Sequence, residues 1–194
     1  MKIVSQLLLG AALSLSFAAG AAAAVTQTVS NMNYDGYMQW GEPTLGSVTL
    51  AQGTNVITDL TASAWVRDQG WGGECGVCNN ASIALYQGEN QLWKQMVAGA
   101  SHGWTFQSFD IANDEPSRTR LVAALTGIDW SSNQPVTMRM LANPVGWGGW
   151  ELHIANAAFA VTSDSVDVPE PASFALLGLG IAGLAAARRR KAQK

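Results

Sequence analysis

From Gly46 to Val161 the chain alternates short apolar, β-branched runs with polar breaks. The runs are Gly46–Ala51, Val56–Val66, Ser82–Tyr86, Gln91–Val97, Trp104–Ile111, Leu121–Leu125, Val136–Ala142 and Trp150–Val161. Clusters such as Gln52-Gly53-Thr54-Asn55, Gln87-Gly88-Glu89-Asn90 and Asn113-Asp114-Glu115-Pro116 separate them. Such clusters punctuate strands, because Gly supplies positive φ and Pro removes a ladder donor. Inside the runs the side chains alternate: Ile83 and Leu85 against Ser82, Ala84 and Tyr86, and Val136, Met138 and Met140 against Thr137, Arg139 and Leu141. A period of two buries one face of a strand. No segment shows sustained helical periodicity with caps. Many short strands in one domain of this size predict an all-β fold, an antiparallel β-sandwich of jelly-roll type.

The two ends follow different patterns. Lys2 is followed by an apolar run, Ile3 to Ala18, and then by Ala21–Ala24. Small residues at Ala22 and Ala24 form an A-x-A site, so residues 1–24 read as a signal peptide cleaved after Ala24. A retained membrane anchor is the alternative. At the other end Val168-Pro169-Glu170-Pro171 precedes an apolar stretch, Phe174 to Ala187, and the cluster Arg188-Arg189-Arg190-Lys191. The prolines block helix and ladder propagation and predict an extended, accessible segment. The 14 apolar residues predict a short hydrophobic helix, which at about 1.5 Å per residue covers roughly 21 Å of a hydrocarbon core about 30 Å thick. The basic cluster holds that end on the cytoplasmic side and leaves the domain outside.

Residues 25–167 remain as one ectodomain, long enough to bury a core without staples. Its cations are Arg67, Lys94, Arg118, Arg120 and Arg139; against 13 carboxylates these five leave a net charge of −8. That field repels phosphate backbones and anionic headgroups, which argues against nucleic acid and leaves neutral glycans or divalent cations as partners.

The tail over residues 168–194, with Pro-Glu-Pro, apolar stretch and basic cluster in that order, resembles the PEP-CTERM sorting signal of Gram-negative bacteria. The resemblance implies recognition by a membrane-embedded exosortase, transient anchoring in the inner membrane, and release to the cell surface or extracellular matrix. In the ectodomain, Asp68-Gln69-Gly70-Trp71-Gly72, then Trp104-Thr105-Phe106, then Gly146-Trp147 ahead of Ile154–Val161 are similar to jelly-roll domains of the galactose-binding-like class. That likeness implies a sandwich with ligand-capable loops at one end.

Glycines surround Trp71 and Trp147, so each indole either fills a tight corner or offers its face to a sugar ring. Asp68, Gln69, Trp71, Trp147 and Trp150 are therefore candidate ligand residues, with core packing and backbone hydrogen bonding as the competing roles. Cys75 and Cys78 are the only cysteines. In an oxidising compartment their C-x-x-C spacing favours a small-loop disulfide. A redox pair needs a βαβ setting that is missing, and a zinc site needs a second ligand pair that His102 and His153 do not supply. Asp110, Asp114 and Glu115 read as a solvated loop, with structural Ca²⁺ as the alternative, since EF-hand spacing is lacking. No nucleophile elbow, metalloprotease or phosphate-loop motif occurs. The expectation is a non-catalytic surface module with no cofactor, associated with exopolysaccharide or biofilm matrix. A secreted polysaccharide hydrolase is the alternative, because a carboxylate pair is set by the fold rather than by local motif.

Overall fold

The computed structural model describes residues 24–37, 41–69, 78–144 and 150–164. The expected signal peptide up to residue 23 and the whole expected sorting tail, with its helix, lie outside them. Among the described residues eight strands form two sheets: β1 (Ala24–Tyr37), β2 (Thr44–Thr49), β3 (Ile57–Asp68), β4 (Asn80–Gln87), β5 (Asn90–Gly99), β6 (Thr105–Asp110), β7 (Val136–Asn143) and β8 (Glu151–Asp164). One sheet runs β1-β8-β3-β6 and the other β2-β7-β4-β5, with every pairing antiparallel. That order is the double Greek key of a jelly roll.

Alternation sets the core. In β3, Leu60, Ala62, Ala64 and Val66 point inward, and Thr61, Ser63, Trp65 and Arg67 occupy the other phase. They meet Ile83 and Leu85 of β4, Met138 and Met140 of β7, and Phe159 and Val161 of β8 in a single cluster. Tight turns keep the register. Gly88, at φ 59°, opens the two-residue loop between Gln87 and Asn90, as a type II′ hairpin requires. Asn31 and Asn156 also adopt positive φ, each where its strand carries one extra residue in the β1–β8 ladder. These bulges bend the pair and increase its twist.

Two elements differ from the sequence expectation. Leu121–Leu125 is not a strand: it lies in α1, Glu115–Thr126. Asp114 is the N-cap, its carboxylate accepting from the Ser117 amide at 3.0 Å, and Pro116 sits in the first turn. The cluster that reads as a strand break is thus a helix start, and Leu121 and Leu125 form its buried stripe. The second difference is β1, which begins at the expected cleavage residue Ala24. Its run of Thr, Gln, Ser and Asn hid an edge strand whose partner, β8, supplies most of the apolar contact.

Antiparallel order fixes the two ends of the sandwich. The last residues of β1, β3, β5 and β7 and the first residues of β2, β4, β6 and β8 lie at one end. The start of β1, the end of β8, the β4–β5 hairpin and α1 lie at the other. On the outer face of the β2-β7-β4-β5 sheet, Arg139 lies 4.3 Å from the Tyr86 ring centre, Lys94 pairs with Glu42, and Ala84 and Leu141 are buried. The outer face of the β1-β8-β3-β6 sheet is open.

Candidate functional site

On that open face the outward phase of each strand is small and hydroxylated: Thr26 and Thr28 on β1, Thr61 and Ser63 on β3, Ser108 on β6, and Ala158, Ala160 and Thr162 on β8. Thr26 and Thr162 bond across the ladder at 2.9 Å. Against this floor stand two aromatic side chains, Trp65 and Phe106. They are register partners on β3 and β6, with ring centres 5.4 Å apart, and are 42% and 53% exposed. An indole in the polar phase of an amphipathic strand has no packing reason to be there, and an exposed aromatic pair is a ready stacking surface. Beside Phe106 a cavity of about 440 Å³ is floored by Ser63, Ala158 and Ala160.

One step along the sheet lies a second, charged cavity of about 450 Å³, lined by Asn33, Asp35, Arg67, Trp104 and His153. His153 faces Asp35 in the β1–β8 register and Arg67 in the β3–β8 register. Its Nδ1 is 2.9 Å from Asp35 Oδ1 and its Nε2 3.0 Å from Glu151 Oε2, so one imidazole bridges both carboxylates. Tyr37, opposite Glu151, has its phenol held above the ordinary range, chiefly by its hydrogen bond to the Glu151 carboxylate and then by that group's charge. The Arg67 guanidinium lies over Trp104, Cζ to ring centre 5.0 Å, and Trp104 is 44% exposed. Between the two cavities the β8 bulge at Ala155–Asn156 faces Trp65.

The residues singled out from sequence are placed differently. Asp68 is buried at the end of β3, where its Oδ1 lies 2.8 Å from His102 Nδ1 and its amide donates to Ser101. Gln69 Oε1 accepts from the Glu151 amide at 2.8 Å. Both tie strand ends to neighbouring segments. Trp150 is half-buried just ahead of β8. Trp71, Trp147 and Cys75 lie outside the described residues; Cys78 precedes β4. The Asp110–Glu115 carboxylates act as caps and pairs: Asp110 accepts from the Ala112 amide at 2.8 Å, Asp114 caps α1, and Glu115 pairs with Arg118. Among the described residues no group of three or more acidic, His or Cys side chains is placed to hold a metal ion.

Residues 167–191 match the PEP-CTERM protein-sorting motif. No curated protein sequence matches the chain. In structure the chain is similar to the VP2 subviral particle of infectious bursal disease virus, with a TM-score of 0.44 and 15% identity over 77% of this chain and 35% of that one. Particles of T=1 symmetry derived from the same virus give 0.43 and 14%, over 74% and 32%. The chain thus spans about a third of each capsid chain it resembles. By its sorting motif, it is an exported, exosortase-processed surface protein. No helix among the described residues is long and apolar enough to cross a membrane.

Proposed function

We propose that the ectodomain is a non-catalytic module that holds extracellular polysaccharide, in a Gram-negative biofilm or surface matrix, through the open face of the β1-β8-β3-β6 sheet. The observation that carries this reading is the exposed Trp65–Phe106 pair beside a floor of hydroxyl and methyl groups. Sugar rings present C–H faces that stack on aromatic planes and hydroxyls that bond short polar side chains. The neutrality of this floor, in a domain of net −8, suits an uncharged polymer. The Gly-Trp segments expected from sequence are at most an addition to it.

The reading is tested by passing the mature protein over an array of bacterial and plant glycans. Retention on a neutral glycan, lost in Trp65→Ala and unaccompanied by new reducing ends, supports it. Release of reducing ends would turn the assignment to a hydrolase.

A further inference from the structure

The two cavities on the open face are joined along β3. From Thr61 to Arg67 is six residues, about 20 Å at the strand rise. The Trp65–Phe106 pair stands between the ends, so a ligand filling both cavities crosses the aromatic surface on the way. That length fits a chain of several sugar rings rather than a single sugar.

The far end carries an unused cation. Lys94, Arg118 and Arg139 face Glu42, Glu115 and Glu89, and Arg120 bonds Gln95 and Ser117. Among the described residues Arg67 alone of the five cations has neither an ion pair nor a hydrogen bond; its Nε is buried without a partner. The nearby carboxylates Asp35 and Glu151 are instead engaged by His153. Trp104 fixes the plane of the guanidinium at the cavity wall. Across the cavity Asp35 is 84% exposed in its side chain, so a fixed fork of donors and an open acceptor face the same space. A donor and an acceptor of opposite charge fit the vicinal hydroxyls of a neutral ring better than they fit an anion.

We infer that the face is a single track for a linear neutral glycan. Rings stack at Trp65 and Phe106, and Arg67 with Asp35 anchors the hydroxyls of one end ring and thereby sets the direction of the chain. The inference rests on the polysaccharide reading above and adds to it a minimum ligand length and a polar anchor.

The test is calorimetric titration of the mature protein with cello-oligosaccharides from the disaccharide to the hexasaccharide, with oligogalacturonides of matching length as the acidic comparison. Affinity should rise beyond the disaccharide and then level off. Arg67→Gln should weaken the longest probe about tenfold, the worth of one charge-assisted hydrogen bond. Arg67→Lys, which keeps the charge and loses the fork, should recover only part of that loss, and unfolding midpoints matching the parent's show that both variants fold. Equal affinity of parent and Arg67→Gln at every length overturns the anchor, and tighter binding of oligogalacturonides overturns the choice of a neutral chain. In either case the array result still stands for the polysaccharide reading. Failure of the parent to bind any neutral glycan overturns both.

Discussion

Ala24 and Asp164 face each other in the β1–β8 ladder. The first residue of β1 and the last residue of β8 therefore lie side by side. Pro169 is five residues beyond Asp164, at most about 17 Å of extended chain. The open aromatic face runs between the two ends of the sandwich.

This geometry makes processing measurable at both ends. Intact-mass analysis of native protein should show a chain that begins at Val25 and lacks the segment after Pro171. A native mass that includes Arg188–Lys194 would contradict the sorting assignment.

Cys75 and Cys78 are predicted to be bonded to each other in exported protein, closing a small loop in the β3–β4 connection. Their exclusivity and the oxidising compartment support this. Alkylation of unreduced, denatured protein should leave both sulfurs unlabelled; labelling of both would rule the bond out.

The sandwich was legible because a buried face imposes a period of two, and β3, β4 and β7 show it openly. The strand ends came within a few residues wherever Gly, Asn or Pro broke the ladder. α1 was missed because its stripe is only Leu121 and Leu125, too short to display a period, although Asp114 and Pro116 carried the start signal. The open face was missed for a different reason. Trp65 is conspicuous only once its neighbours Ala64 and Val66 are known to point inward, and Arg67, Trp104 and His153 meet only through register between β3, β6 and β8. The Gly-Trp segments drew attention because their signal is local, whereas the site proposed on the sheet face is spread over four strands.

Acid should weaken the α1 end of the domain. Asp114 is held below the ordinary carboxylate range, first by the Ser117 amide and then by the Ser117 hydroxyl. A depressed carboxyl favours the native state above its unfolded pKa, and that contribution is lost as pH falls through the folded value. Asp129, lowered by the Ser131 hydroxyl and amide, works in the same direction. Asn caps helices about as well as Asp without titrating. Asp114→Asn should match the parent's unfolding midpoint near neutrality and lose less of it below about pH 4. Parallel curves for the two proteins would show that the carboxylate adds nothing beyond its geometry as a cap.

Trp65 and Phe159 separate a face role from a core role within one sheet. Phe159 on β8 is fully enclosed, packed between Val29 and Ala62 in register. Truncation to Ala removes its contacts and leaves a void, costing about 3–5 kcal/mol, a large fraction of the roughly 5–15 kcal/mol stability of a domain. Trp65 stands on the opposite face with 42% of its surface in water and one aromatic neighbour. Losing that pair should cost about 0.5–1.5 kcal/mol, a shift of only a few degrees in the midpoint for a domain of this size. Glycan binding should respond in the reverse order: Trp65→Ala weakens it about tenfold, whereas any Phe159→Ala protein that remains folded binds as the parent does. Thermal unfolding and affinity electrophoresis on the same three proteins make the comparison. A midpoint collapse in Trp65→Ala comparable to that of Phe159→Ala would make the indole a structural element and remove the aromatic surface from the binding site.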